Sequence, residues 1–284
     1  MQPVLVATKQ RIQGSPMPDW NLFVHPDTVD AGVSAGIRRK GFCCRETSQF
    51  LRHSVHELEQ QNRSSGRIVA LDIGANIGYH TVELGKLGCR VVAWELLPLN
   101  FRVLVANVRM HNLGGSVELV PRGASEGPSR AVVARMYERS TGMTTIGGGA
   151  LPTAWKMDEV KGERLQVAPA SDELARLGLT RVDLVKIDVE GHEMEALLGL
   201  GPSLRRLGVR FLHTEIFPPL LEANGHSAAD YLRYLHQQGL RCYTRFDRRL
   251  RHHDLLSPSM FEAFSFATKE RMTHRDLFCE MGDY

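Results

Sequence analysis

Val69-Ala70-Leu71-Asp72-Ile73-Gly74-Ala75-Asn76-Ile77-Gly78 reads as an apolar strand running into a glycine-rich turn. Its apolar run starts at Ile68 and shows no polar alternation through Leu71, as expected of a strand buried on both faces of a parallel sheet. Glycine is needed in such a turn where a side chain would keep a ligand from the backbone. Outward from this stretch, Tyr79 to Leu87 is a predicted helix and Val91-Val92-Ala93-Trp94 the next strand. Leu99 to His111 is a further helix and Val117-Glu118-Leu119-Val120 a third strand. Strands alternating with helices at this spacing mean βαβ units around a parallel sheet, so the chain is α/β.

The alternation resumes further along. Ser171 to Leu177, Glu193 to Leu200 and Ser227 to Gln238 are predicted helices, the last closed by Gly239. Val182 to Ile187 and Val209 to Ile216 are strands. Leu240 to Thr244 and Ala263 to Thr268 are expected to pair as a hairpin at one sheet edge. Residues 1–65 form an N-terminal lead-in, with a strand candidate at Leu22-Phe23-Val24 and helical spacing from Ser48 to Gln61. Residues 66–284 form the main domain. Within it, residues 123–165 break the rhythm and read as a loop or hairpin insertion near the substrate side. There the Gly147-Gly148-Gly149 run looks like a mobile loop, and Thr141 to Thr145 is either a cover over the substrate or a surface loop.

Hydrophobic residues make up 43% of the chain and charged residues 24%, which suits an ordinary globular protein with a sizeable core. The formal net charge of +3 is spread along the chain, which argues against a dedicated nucleic-acid binder. The local cluster from Arg241 to His253 reads as solvated surface, or as a contact for an acidic substrate or a phosphate. Cys43, Cys44, Cys89, Cys242 and Cys279 are odd in number and spaced neither as a redox pair nor as a metal knuckle. All five are therefore expected as reduced thiols. With no signal-peptide pattern and no long apolar run, a cytoplasmic location without a membrane span is expected.

The glycine turn gains meaning from Glu95, which ends the second strand 21 residues after Gly74. An acidic residue at that distance can accept hydrogen bonds from both ribose hydroxyls, and it repels a phosphate at the same position. A dinucleotide site would want G-x-G-x-x-G, but Ala75 and Asn76 fill the middle of this turn, and no P-loop lysine follows. An adenosine ligand without a phosphate fits better. S-adenosylmethionine is one, and a carboxylate such as Asp72 would favour its sulfonium. The expected cofactor contacts are Asp72, Gly74, Asn76, Gly78 and Glu95.

Three blocks resemble the FkbM family of S-adenosylmethionine-dependent O-methyltransferases. They are Leu71 to Thr81, then Asp183-Leu184-Val185-Lys186-Ile187-Asp188-Val189-Glu190-Gly191-His192-Glu193, and Leu212-His213-Thr214-Glu215-Ile216. The resemblance spans roughly residues 66–245. It implies a Rossmann-like class I methyltransferase fold. That fold has a mostly parallel seven-stranded sheet with an antiparallel edge strand and helices on both faces. It also implies methyl transfer to a hydroxyl of a sugar, glycan or secondary metabolite. By the topology of such folds, Ser125 lies near the adenine.

Methyl transfer to an alcohol needs an aligned oxygen and a group to take its proton. Such a group belongs at the ends of the fourth and fifth strands, where Asp188, Glu190, His192, His213 and Glu215 stand. Asp188, His192 and Glu215 are the expected catalytic residues; His192 would titrate near neutral pH if unperturbed. Lys186, inside a strand, either pairs with a carboxylate or reaches solvent. Asp188 and Glu215 would suit magnesium, but two carboxylates do not define a site and no metal is assigned. An RNA or protein methyltransferase is an alternative, although Asp188-Val189-Glu190-Gly191 stands where amino-methylating enzymes carry an Asn-Pro-Pro-Tyr-like motif. A non-catalytic nucleoside-binding module and an NAD-dependent oxidoreductase are two more.

Overall fold

A computed structural model of the protein describes residues 2–7, 20–61, 66–137, 140–146, 159–201, 203–246, 255–270 and 274–282. The lead-in contains β1 (Val4–Ala7), β2 (Asn21–Val24), α1 (Val33–Lys40) and α2 (Arg45–Gln60). Then come β3 (Val69–Ile73), α3 (Tyr79–Lys86), β4 (Arg90–Trp94), α4 (Pro98–Met110) and β5 (Val117–Val120). The middle of the chain holds β6 (Gly123–Ala124), β7 (Arg130–Tyr137), β8 (Ser140–Ile146), β9 (Glu159–Ala168) and α5 (Ala170–Arg176). It continues with β10 (Leu184–Ile187), α6 (Glu193–Leu198), α7 (Leu204–Leu207), β11 (Phe211–Ile216), α8 (Pro218–Ala223) and α9 (Ala228–Gln237). The last elements are β12 (Leu240–Tyr243), α10 (Phe261–Glu270) and β13 (Arg275–Met281).

Among the described residues, seven strands form one sheet in the order β12-β13-β11-β10-β3-β4-β5. All neighbours from β11 to β5 are parallel, and β13 runs antiparallel to both β11 and β12. The expected α/β sheet is present, and its reversed strand lies one place in from the edge that β12 forms. Every residue of β3 is buried, and its side chains alternate between two cores. Leu71 and Ile73 meet Leu197, Tyr231 and Leu235 on one face. Ala70 meets Val82, Leu104 and Val108 on the other, together with Leu22, Phe50 and Leu51 of the lead-in. Asn107 ties the lead-in down: its Oδ1 accepts from Phe23 N at 2.7 Å and its Nδ2 donates to Phe23 O and Ile77 O.

From β3 the chain lays strands outward to β5 and then returns to place β10 on the opposite side of β3. The strand order therefore reverses between β3 and β10. Ligands in open α/β sheets bind beyond the carboxyl ends of the strands at such a reversal. Ile73 and Ile187 end the two strands side by side, in register.

Two expectations are corrected. Residues 263–268 are not a strand: they belong to α10, and the partner of β12 is β13. Their apolar alternation is incidental, because Phe261 and Ser265 are the buried residues, one helical turn apart. Cys242 and Cys279 are not free thiols but form a disulfide; they face each other across the β12–β13 pair with Cα atoms 4.1 Å apart. Their separation of 37 residues hid the pairing, which only the strand register creates.

Among the described residues, β6, β9, β7 and β8 form a second sheet in that order. Thr141 to Thr145 lies within β8 of that sheet, and the triple-glycine run falls outside the described residues. Among the described residues no helix is long and apolar enough to cross a membrane.

Candidate active site

The turn after β3 has an unusual backbone. Gly74, Asn76 and Gly78 all have positive φ, at 83°, 53° and 90°. Two successive amides, of Gly74 and Ala75, donate to Trp94 O at the end of β4. Glu95, the next residue, holds the turn from the side. Its Oε2 accepts from Asn76 N at 2.8 Å and its Oε1 from Leu97 N at 2.9 Å. Burial pushes its pKa up to about 7, against the pull of those amides and of Lys186. A Cβ on Gly74 would stand 1.9 Å from Asp188 O, so the two strand ends touch through the space that this glycine leaves empty. Gly78 serves packing: a Cβ there would meet Leu104 at 2.5 Å.

The block after β10 is equally constrained. Lys186 points sideways along the sheet and is only 3% exposed. Its ammonium donates to Gly74 O at 2.8 Å and lies 3.1 Å from Asp72 Oδ1 and 3.5 Å from Asp188 Oδ2. Burial disfavours its charge, but Asp72 and Asp188 outweigh burial and raise its pKa. Asp72 also accepts from Thr81 at 2.6 Å and is fully buried. It therefore neutralises Lys186 beneath the cavity. Glu190 has φ 52° and Gly191 φ 95°, and Glu193 Oε1 accepts from the amides of Val189 and Gly191.

A cavity of about 270 Å³ opens over these two turns. Of the expected site residues, Gly74, Asn76, Glu95, Asp188, His192 and Glu215 line it. Asp72, Gly78 and Ser125 do not: Ser125 is fully buried and accepts from Arg130 at 2.9 Å, while its neighbours Gly123 and Ala124 form the wall. His213 also lies away from the cavity, with Nε2 3.2 Å from Thr47 Oγ1 and 2.9 Å from Asp276 Oδ1. Glu190 also lines the cavity, beside Asp188 and Glu215, whose charges act on its carboxyl. Burial, then the charge of Glu215, holds Glu190 protonated well above the usual carboxylate range. Burial likewise raises Glu215, although His274 Nδ1 lies 3.2 Å from its Oε1. His192 is pushed down to about 4 by burial and by Arg130, so it is neutral at physiological pH and a weak base.

Several wall residues were not foreseen. Thr141 and Thr144 belong to the stretch expected as a substrate cover or surface loop, but Asp30, Cys43 and Cys44 come from the lead-in and Ile146 from the end of β8. No local pattern marks them, because they reach the cavity only through packing. His80 also lines it, backed by Glu83 at 3.0 Å. Burial opposes a charge on His80, but Cys44 and Glu83 raise its pKa to about 9. Among the described residues no group of three or more His, Cys, Asp or Glu side chains is arranged to hold a metal ion.

The residues fit an adenosine cofactor. Glu95 offers a carboxylate, the glycine turn offers bare backbone, and Asn76 Oδ1 and Thr141 Oγ1 are buried polar atoms that have no partner among the described residues. The strand order and this site define a class I S-adenosylmethionine-dependent methyltransferase. A family model of the methyltransferase FkbM domain matches residues 72–242, and the chain belongs to that family. It is 29% identical over 193 residues to the 31-O-demethyl-FK506 methyltransferase FkbM of Streptomyces tacrolimicus, covering 61% of this chain and 70% of that protein. It is 29% identical over 144 residues to Methyltransferase 1 of Beauveria bassiana, covering 46% of this chain and only 57% of that protein. A similar solved structure is the precorrin-6y C5,15-methyltransferase of Geobacter metallireducens GS-15, with TM-score 0.39 and 14% identity over 81% of this chain and 87% of that one.

Proposed function

We propose that the protein methylates a hydroxyl of a small molecule, such as a sugar, a glycan unit or a secondary metabolite. The observation that carries this reading is that the carboxylates Asp188, Glu190 and Glu215 line the same cavity as Glu95 and its glycine turn. The Streptomyces tacrolimicus relative, named a 31-O-demethyl-FK506 methyltransferase, supports it.

Glu95 would hold the ribose hydroxyls, the Gly74–Asn76 backbone the nucleoside, and His80 a carboxylate. S-adenosylmethionine, when bound, supplies an electrophilic methyl group on sulfur. The chain's own residues then deal with the acceptor. Asp188, held by Lys186, accepts a hydrogen bond and orients the alcohol. Glu215 takes the proton, since burial gives it more proton affinity than a surface glutamate has. The neutral imidazole of His192 lines the same space and positions the acceptor. The test is a panel of hydroxylated acceptors incubated with methyl-labelled S-adenosylmethionine and read by mass spectrometry. An O-methylated product is expected; label found only on amines or on nucleic acid sinks the proposal.

A further inference from the structure

A cavity of about 270 Å³ lies at the small end for ligand sites, which run from about 300 to 1,000 Å³. It has little room for an acceptor beyond the cofactor. A second recess of about 720 Å³ opens beside it. Cys44 lines both spaces. His274 lines the recess, and its Nδ1 touches Glu215, which lines the cavity. The Glu215–His274 pair is thus the partition, and the recess begins where the acceptor hydroxyl must arrive.

The recess is basic in an unusual way. Arg45 opens α2, Arg245 follows β12 and Arg275 opens β13, and all three line it. Among the described residues none of the three guanidinium groups has an ion pair; Arg45 lies 5.5 Å from the centre of the Phe42 ring. This contrasts with Arg52, Arg176 and Arg233, each of which meets a carboxylate. Two acids share the wall. Asp276 is taken up by His213 at 2.9 Å, and Glu46 is exposed. Leu256 and Phe264 give the recess an apolar side.

We propose that this recess is an acceptor subsite and that the acceptor carries a phosphate, held by Arg45, Arg245 and Arg275. The inference rests on the hydroxyl-methylation reading above. Guanidinium forks match the oxygens of a phosphate, and three cations without an ion pair among the described residues suit a group with more than one negative charge. A carboxylate shares part of this chemistry, and the probes separate the two.

The experiment is calorimetry on the full chain saturated with S-adenosylhomocysteine, titrated with glucose 1-phosphate, glucose, glucuronic acid and a single-stranded oligoribonucleotide. Glucose 1-phosphate is expected to bind at least about tenfold more tightly than glucose or glucuronic acid. The triple variant R45Q/R245Q/R275Q should lose at least about tenfold for it, while its affinity for S-adenosylhomocysteine and its melting temperature stay unchanged. The single variant R45Q, at an exposed helix start, should show part of the loss and covers the case of a triple variant that does not fold. Equal binding of glucose and its phosphate overturns the proposal. So does phosphate binding that both variants retain, or tightest binding by glucuronic acid or the oligoribonucleotide. The acceptor panel tests the underlying reading separately: phosphate binding lost in the variants, with no hydroxyl ever methylated, would remove the reaction and leave the subsite standing.

Discussion

The proposed cofactor end comprises Gly74, Asn76 and Glu95, which come from one βαβ unit and lie within 21 positions of Gly74. The proposed acceptor end comprises Asp188, Glu190 and Glu215 from two strands and Cys44 from the lead-in, with His274 touching Glu215 from the approach to a third strand. The first end is closed by backbone hydrogen bonds and positive φ angles, which local chemistry dictates. The second is an assembly of charges whose proton affinities depend on one another. The cofactor end can therefore stay constant while the acceptor end varies, because a change at one strand terminus leaves the glycine turn intact.

That division can be broken at the acceptor end first. Glu215→Gln should lower kcat by about 10²–10⁴-fold, the range for losing a proton-transfer group, and Asp188→Asn, which removes only an orienting charge, by less, with cofactor affinity within about threefold in each. Single-turnover kinetics beside calorimetry decides this; equal losses in both would move the residue to the cofactor end. Gly74→Ala should damage both ends together, because its Cβ meets Asp188 O at 1.9 Å in a positive-φ conformation. Overpacking and left-handed strain predict a stability loss of about 2–4 kcal/mol by denaturant unfolding. A folded variant of unchanged stability would mean the two ends are less tightly joined than they look.

Glu95→Ala should weaken S-adenosylmethionine binding by roughly 1–3 kcal/mol through the ribose hydroxyls left without a partner, and leave kcat at saturation nearly unchanged. Unchanged affinity in a folded variant would refute the ribose role. The smallest effect is one of pH. The Glu95 pKa lies at about 7 in the folded protein, above its ordinary value, so its share of stability is fully present below pH of about 4.5 and is lost as pH rises through 7. The ribose hydroxyls favour the ionised carboxylate, so cofactor binding should release a proton near pH 7 and weaken below it. Calorimetry in buffers of different ionisation enthalpy reads that proton; an identical heat in every buffer would show that Glu95 does not titrate on binding.

Much of this was legible beforehand for identifiable reasons. The strand β3, its turn and Glu95 are read from residues close in sequence, and so is the constrained block from Lys186 to Glu193. Three expected cofactor contacts lie outside the cavity lining, because residue type does not tell which way a side chain faces. Asp72 turned out to neutralise Lys186, Gly78 to admit Leu104, and Ser125 to hold Arg130. The Ala263–Thr268 strand failed because apolar alternation over six residues cannot be told from one face of a helix.

The sequence alone therefore determined the class of sheet and the glycine turn, because each depends on hydrogen bonds and φ angles set within one βαβ unit. Only the tertiary structure decided which carboxylates share a space. It alone brought Cys242 to Cys279 and placed Arg45, Arg245 and Arg275 around one recess. Those are meetings of groups far apart along the chain, and their distances are fixed by how the sheet is ordered and how the lead-in packs on its face.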